Sequence, residues 1–160
     1  MKLETQKIID KYKDNIFSVA FNICSNPTDA EDVVQECFIA YHMTQKQFED
    51  EAHIRAWLIR VAINKAKNIK KSAWYRKTIP LEEYMESLTF VSEASEELFE
   101  AVMRLPEKYR IVIHLFYYED YSIREISEIM QSSESNIKVR LNRGRKILKQ
   151  KLQEGWNYEE

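Results

Sequence analysis

The sequence predicts an all-α protein made of two small helical domains joined by a flexible linker, with a helix-turn-helix in the C-terminal domain. Only two glycines and three prolines occur among 160 residues, far fewer than the usual shares of about 7% and 5%. Apolar residues recur at intervals of three and four along most of the chain, as on one face of a helix. The one long stretch of weak periodicity, residues 78–94, separates two such regions.

The N-terminal half predicts three helices. Apolar residues at helical spacing occupy residues 8–23, and an Asn-Pro pair then interrupts the pattern. Thr28 and Glu31 form a capping-box pattern, so we expect the second helix to begin there. Residues 45–51 are polar and predict a loop, and residues 54–69 predict the third helix. The second helix should bury the following apolar residues: Ala30, Val33, Val34, Cys37, Phe38 and Tyr41.

The C-terminal half predicts four further helices. Pro106 suits a first helical position, where its missing amide proton costs nothing. The helix after it should bury Tyr109, Val112, Ile113, Phe116 and Tyr117. Ser122 and Glu125 form a second capping box, which opens a short helix. Residues 131–133 then break the pattern before a basic final helix, as in a helix-turn-helix. This turn lacks glycine, so another residue should take any left-handed conformation there.

Charge is strongly segregated along the chain, although the net charge is only -2. Residues 52–81 contain eight lysines and arginines and no acid, and residues 135–153 contain seven and no acid. Acids concentrate in residues 29–51 and 82–100. Two basic tracts separated by an acidic segment indicate two contacts with one polyanion, although charge itself equally fits two solvated helix faces.

The sequence lacks the residues that several functional classes require. Cys24 and Cys37 stand in apolar stretches outside any CxxC pair, which favours buried thiols over a disulfide or a zinc site. The three histidines have no metal-ligand spacing, and no glycine-rich phosphate loop occurs. No apolar run reaches the roughly 18 residues of a membrane span. We therefore expect a non-enzymatic, cytoplasmic protein without metal, cofactor or direct membrane insertion.

Three stretches resemble, in the same order, conserved regions two and four of the extracytoplasmic-function (ECF) sigma factors, within the sigma-70 superfamily. They are DAEDVVQECFIAYH (29–42), IRAWLIRVAINKAKNIKK (54–71) and LPEKYRIVIHLFYYEDYSIREISEIMQSSESNIKVRLNRGRKIL (105–148). The resemblance implies region 2 in residues 1–77, a linker in 78–94 and region 4 in 95–155. It implies a factor that carries core RNA polymerase to promoters and starts DNA-templated transcription in bacteria.

In that family, the helix matching residues 29–42 binds the clamp helices of the largest polymerase subunit. Polar and acidic side chains on one face of such a helix can accept hydrogen bonds from arginines of a partner. Without the resemblance, they would read as an ordinary solvated face. The implied polymerase-binding residues are Asp32, Gln35, Glu36 and Ile39.

The helix matching residues 54–71 reads and opens the minus-ten promoter element in the family and captures an extruded base. This chemistry needs cations along a strand, short amides for base edges and planar groups for stacking. The implied minus-ten residues are Arg60, Asn64, Lys65, Lys67, Asn68 and Lys71. We expect Trp57 to belong to the core, whereas the roles of Trp74 and Tyr75 stay open. The acids at residues 49–51 depart from the family and put base capture by that loop in doubt.

The last helix matches the one that enters the major groove at the minus-thirty-five element. Residues near its start should face base edges, and later cations should bind phosphates. The implied residues are Ser135, Asn136, Lys138, Val139, Arg140, Arg143 and Arg145.

The implied partners are core RNA polymerase, promoter DNA and an anti-sigma factor. An ordinary helix-turn-helix regulator, which would act without being a polymerase subunit, is the nearest alternative. It would need neither the acidic helix at residues 29–42 nor the first basic tract. A protein-binding adaptor would leave both basic tracts unexplained. The sequence does not identify the promoters served, the activating signal or the anti-sigma factor.

Overall fold

A computed structural model describes residues 1–72, 81–86, 88 and 92–157, the last four by their backbone only. Every regular element in these ranges is helical, so the all-α prediction is confirmed. The chain divides into two compact units, Met1–Thr78 and Ile79–Glu160. Within the described ranges, each helix is too short or too polar to span a membrane.

In the N-terminal unit, residues 1–72 form three helices that pack pairwise on one another. They are α1 (Thr5–Cys24), α2 (Pro27–Met43) and α3 (Glu51–Ser72). Their apolar faces form a core whose fully buried members include Ile8, Ile16, Ile23, Tyr41, Ile54, Leu58 and Ile59. Both cysteines are buried, as predicted. Burial raises the pKa of the Cys37 thiol to about 12, so little thiolate forms at neutral pH.

The start of α2 corrects one sequence prediction. The helix begins at Pro27, and the Asn26 side chain accepts a hydrogen bond from the Asp29 amide at 3.0 Å. The expected start at Thr28 with a Thr28–Glu31 capping box was wrong. Asparagine is a stronger cap than threonine, and proline is favoured directly after a cap, so the Asn-Pro pair starts the helix and does not merely end the previous one.

The described residues of the C-terminal unit form five helices and one π-helical turn. They are α4 (Leu81–Glu86), α5 (Glu93–Met103), α6 (Glu107–Ile113), the π turn (His114–Tyr118), α7 (Ile123–Met130) and α8 (Glu134–Asn157). Pro106 lies one residue before α6, at its cap, and not at the first helical position that the sequence predicted. Helix α4 falls inside residues 78–94, the predicted linker, and Glu82 pairs with Arg104. Those boundaries stay a prediction.

The π turn changes which side chains the sequence pattern buries. His114 and Leu115 are buried, whereas Tyr117 and Tyr118 are 51% and 53% exposed. The expectation that Phe116 and Tyr117 continue the buried stripe was wrong, since Phe116 is only half-buried. A π turn holds more residues than an α turn, so side chains after it no longer follow the 3.6-residue period. A buried contact of 3.2 Å between His114 Nε2 and Glu119 Oε1 closes the turn.

Arg110 joins α6 to the end of α5. Its Nη1 donates to the carbonyl oxygens of Met103 at 3.1 Å and Leu105 at 3.3 Å, and the residue is 6% exposed. Burial lowers the pKa of this guanidinium, which nonetheless stays charged at neutral pH. The side chain therefore supplies hydrogen bonds to carbonyls that the helix end leaves without partners.

Replacing Arg110 with methionine should lower the free energy of unfolding by about 2–3 kcal/mol, because two buried carbonyls lose their donor. Urea denaturation followed by circular dichroism measures this loss. The matched control is Arg124→Met, which removes only an exposed ion pair to Glu128 at 3.7 Å. It should cost less than about 0.5 kcal/mol. Equal effects of both variants would refute a structural role for Arg110.

The turn between α7 and α8 has the predicted helix-turn-helix form. Ser122 and Glu125 form the predicted capping box at the start of α7. Gln131 takes the left-handed conformation, with φ 53° and ψ 49°, as expected of a turn without glycine. The Ser132 amide donates to the Ser127 carbonyl at 3.0 Å, which gives the turn the bonding of a Schellman motif.

Gln131→Gly should raise the free energy of unfolding by about 0.5–1 kcal/mol, because glycine adopts this backbone conformation without a Cβ clash. Gln131→Ala keeps the Cβ and should give no gain. Thermal denaturation of the two variants beside the parent chain measures the difference. A glycine variant that melts at or below the parent temperature would contradict the prediction.

Candidate functional site

Helix α2 presents a polar face to solvent. Its exposed residues include all four predicted for polymerase binding: Asp32, Gln35, Glu36 and Ile39. They follow one another at intervals of three, one and three residues, so they lie on one side of the helix. Ile39 is 62% exposed at the end of this face. The face therefore combines two carboxylates and an amide with one apolar contact.

An apolar groove of about 730 Å³ adjoins the same face, between α1 and α2. Its lining includes Ile9, Val34, Ile39 and Met43, and Met43 is 70% exposed. Val34 is half-buried here and not part of the sealed core that the sequence pattern predicted. The polar face thus continues into an accessible apolar surface.

Helix α3 carries a stripe of cations and amides. At about 3.6 residues per turn, Arg60, Asn64, Lys67 and Lys71 lie within about 60° of one another around the helix axis. Asn68 lies at the edge of this stripe. All of these residues are exposed except Lys67, which is half-buried. Five of the six predicted minus-ten residues therefore share one surface.

Lys65 is the member of the predicted minus-ten set that lies apart. It is about 140° around the helix from Arg60 and faces α2, where its Nζ is 3.8 Å from Glu36 Oε2. The basic helix and the acidic face of α2 consequently meet at this ion pair. Two surfaces predicted for different partners are adjacent in one unit.

The aromatic residue at the start of the stripe is part of a cluster. Trp57 lies with its ring 5.6 Å from Phe48 and 6.3 Å from Tyr41, measured between ring centroids. It is half-buried, so it packs on the core without being enclosed in it as the sequence predicted. Trp74 and Tyr75, whose roles the sequence left open, lie outside the described residues.

The acids at residues 49–51 have structural contacts. Asp50 Oδ1 accepts a hydrogen bond from the His53 amide at 2.8 Å, and His53 Nδ1 accepts one from the Glu49 amide at 3.0 Å. Glu51, expected as the last loop residue, is the first residue of α3 and pairs with Lys11 at 2.6 Å. This hydrogen bond holds the pKa of the Glu51 carboxyl below its usual value. Two of the three acids thus cap and anchor α3.

Helix α8 presents a second cationic surface. At 3.6 residues per turn, the exposed residues Ser135, Val139, Arg143 and Lys146 lie within about 80° of one another. Asn136 and Lys138 flank them, and Ile137 and Leu141 are buried on the opposite side. Asn142 also lies on this face, although the sequence analysis did not single it out. The exposure of the Asn142 amide becomes evident only when the buried side of α8 is known.

Arg140 and Arg145 lie on opposite edges of that surface. Arg140 is half-buried. Arg145 is held over the rings of Phe116 and Tyr117, at 5.2 and 5.5 Å, and its Nε donates to Tyr117 Oη at 2.6 Å. It also lines an apolar groove of about 650 Å³ with Leu98, Val102, Tyr118, Leu148 and Leu152. Arg145 is therefore held at the edge of the exposed basic face, where its Nη1 also donates to Asn142 Oδ1 at 3.2 Å.

Helix α6 packs closely on α8 beside the cationic surface. A Cβ on Gly144 would lie only 2.8 Å from Ile113 Cδ1, so glycine permits this close approach. Although burial raises the pKa of Tyr109, its hydrogen bond with Arg143 and the charge of Lys108 together lower it. Among the described residues, no cluster of histidine, cysteine or acidic side chains could hold a metal ion.

Comparisons with known proteins match both units. The family model for Sigma-70 region 2 matches residues 8–76, and the family model for Sigma-70, region 4 matches residues 95–148. The ECF RNA polymerase sigma-E factor of Escherichia coli (strain K12) is 30% identical over 142 residues, which cover 78% of this chain and 74% of that protein. The ECF RNA polymerase sigma factor SigW of Bacillus subtilis (strain 168) is 29% identical over 164 residues, covering 92% and 88%.

A solved structure shares the fold. The sigma factor RpoE from Bartonella quintana, in complex with the anti-sigma factor NepR, superimposes with a TM-score of 0.72 at 20% identity. The match covers 92% of this chain and 96% of that one.

Proposed function

Because the chain belongs to the ECF RNA polymerase sigma factors, we propose that its described surfaces divide among three contacts: core polymerase, the minus-ten element and the minus-thirty-five element. The protein acts in transcription initiation, and sigma factors bind core RNA polymerase and promoter DNA. Sigma factors are not catalytic enzymes, in keeping with the expected class. A helix-turn-helix regulator that works without polymerase is not favoured.

The polymerase contact is the face of Asp32, Gln35, Glu36 and Ile39 on α2. The clamp helices of the largest polymerase subunit are its proposed partner. Exposed carboxylates beside an apolar edge suit a partner helix that offers arginines and apolar side chains.

The minus-ten contact is the stripe on α3, with Arg60, Lys67 and Lys71 along the phosphates and Asn64 and Asn68 toward base edges. Lys65 sits between this stripe and the polymerase face. The minus-thirty-five contact is the exposed side of α8, with Ser135, Asn136, Lys138 and Val139 toward bases, and Arg140 and Arg143 toward phosphates. Each assignment follows the chemistry of the side chains on that surface.

Arg145 has a different role in this proposal from the other arginines of α8. Its guanidinium already contacts two rings and a hydroxyl at the groove edge, so we expect a minor contribution to DNA binding. An anti-sigma factor is a further proposed partner, since RpoE, which has this fold, binds NepR.

The observation that carries the proposal is the adjacency, within one unit, of an acidic face and a stripe of cations and amides. Run-off transcription with core polymerase and a genomic promoter library tests it. We expect transcripts only when chain and core are combined, and the initiation sites report the promoter sequence that is read. Sequence-specific DNA binding by the chain without core, and no transcription with core, would refute it.

A further inference from the structure

The loop before α3, residues 44–50, is held by the residues that precede α1. The Phe48 amide donates to the Met1 carbonyl at 2.9 Å. Lys2 Nζ donates to the carbonyls of His42 at 3.0 Å and Thr44 at 2.8 Å, where α2 ends. Tyr41 Oη donates to the Leu3 carbonyl at 2.6 Å. Residues 1–4, here called the N-terminal segment, thus bind both the start and the middle of the loop.

The inner side of the loop is also fixed. Phe48 is 2% exposed, and its ring lies 5.1 Å from His53 and 5.6 Å from Trp57, between centroids. His53 and Trp57 belong to α3. The loop therefore lies directly on the first turns of that helix.

Those first turns belong to the proposed DNA stripe. His53 and Trp57 precede Arg60 and Asn64 at intervals of three and four residues, so they lie on the same side of α3. The loop covers the stripe at this end, and Gln45, Lys46 and Gln47 are exposed on its outer side. Amides and a cation at that position continue the chemistry of the stripe beyond the helix.

We propose that the N-terminal segment is a positioning element for promoter opening, with Lys2 and the Leu3 carbonyl as its main contacts. It fixes the loop 44–50 where a single strand leaving the α3 stripe meets Gln45–Gln47. This inference rests on the proposed minus-ten contact of α3. A loop held in its binding conformation loses less conformational entropy when the strand binds, so its anchors act on opening without touching DNA.

The decisive variant combines Lys2→Met with Tyr41→Phe. It removes the Lys2 hydrogen bond to the loop at Thr44 and two bonds between the segment and the end of α2, at Tyr41 and His42. The Tyr41 ring stays in the core. Holoenzyme with this variant should open a duplex promoter about fivefold more slowly, as expected from a few partly exposed hydrogen bonds. Permanganate reactivity of unpaired thymines measures the opening. Core affinity and binding to the upstream element should stay at parental values.

Three companions make the result specific. Lys7→Met, an exposed lysine of α1 with the same change in charge, should open promoters at the parental rate. The single variant Lys2→Arg, in which Tyr41 is retained, keeps a donor at residue 2 and should open promoters at most of the parental rate. On a template already unpaired at the minus-ten element, the double variant should prefer different bases from the parent at the positions that meet the loop. A general loss of stability would not change this preference.

The outcomes separate this inference from the function on which it rests. If Asn64→Ala impairs opening but the double variant opens normally, the positioning role is wrong and the minus-ten assignment stands. If Asn64→Ala also opens normally, the assignment itself fails. A double variant that loses core binding and opening in the same proportion would overturn the inference, because the segment would then support only the fold.

Discussion

Reversing Asp32 and Glu36 to lysine together should reduce the affinity for core polymerase about a hundredfold, or about 2.7 kcal/mol. Both carboxylates are exposed on one face of α2, so the reversal replaces attraction to partner cations with repulsion. It also places a lysine near Lys65, which now lies 3.8 Å from Glu36. Competition binding to core polymerase measures the loss, and circular dichroism should show unchanged helix content.

The control must carry the same change in charge elsewhere. Asp10→Lys with Glu83→Lys does so at two exposed carboxylates outside α2. This control should bind core within about twofold of the parent, because charges away from the contact act only through screened, long-range attraction. The neutral pair Asp32→Asn with Glu36→Gln should fall between the two. Parental affinity in the reversed variant would remove α2 from the polymerase contact.

A second large effect should separate Asn64 from Arg140. Asn64 lies on the α3 stripe, where its amide suits an unpaired base edge, so Asn64→Ala should reduce strand opening and minus-ten specificity. Arg140 lies almost two turns into α8, at the edge of the cationic surface, so Arg140→Ala should first weaken binding to duplex DNA. Each lost contact should cost roughly 1–3 kcal/mol, which is about five- to 150-fold.

Two assays on each holoenzyme distinguish these roles. Binding to the duplex minus-thirty-five element should fall for Arg140→Ala and not for Asn64→Ala. Permanganate reactivity at saturating holoenzyme should fall for Asn64→Ala and recover for Arg140→Ala. Arg145→Ala is the matched comparison on the same helix, and its duplex binding should change little because Arg145 contacts Phe116 and Tyr117. The same defect in both assays for both variants would refute the division.

The sequence predicts most of the fold because its local signals agree with the packing. The Ser122–Glu125 capping box is present, and the apolar spacing of α1 places Ile8, Ile16 and Ile23 in the core. At Thr28 two signals competed, and the preceding Asn-Pro pair was the stronger. The left-handed residue of the turn was expected, and the structure identifies it as Gln131.

The sequence predicted which residue types the candidate sites contain better than it predicted how those residues are arranged. The family resemblance implied Arg60 and Asn64 as minus-ten residues, and both are exposed on one side of α3. The sequence did not show that Lys65 pairs with Glu36 or that Arg145 lies over Phe116. Those contacts depend on how helices distant in sequence pack, which a pattern along one helix does not contain. The contacts of the N-terminal segment with the loop are of the same long-range kind.

Because of the π turn, the aromatic surface of the C-terminal unit depends on how many residues lie between His114 and Tyr118. Deleting one residue between His114 and Tyr118 would let α6 continue as an ordinary α-helix, and each later side chain of the run would rotate by about 100°. The rings that hold Arg145 would then leave its side of α8, even if the deleted residue were Leu115 and every aromatic residue were retained. In this segment a single-residue deletion would alter the surface more than most substitutions. A comparison of relatives must therefore establish whether the segment has the same number of residues before it compares residue identities.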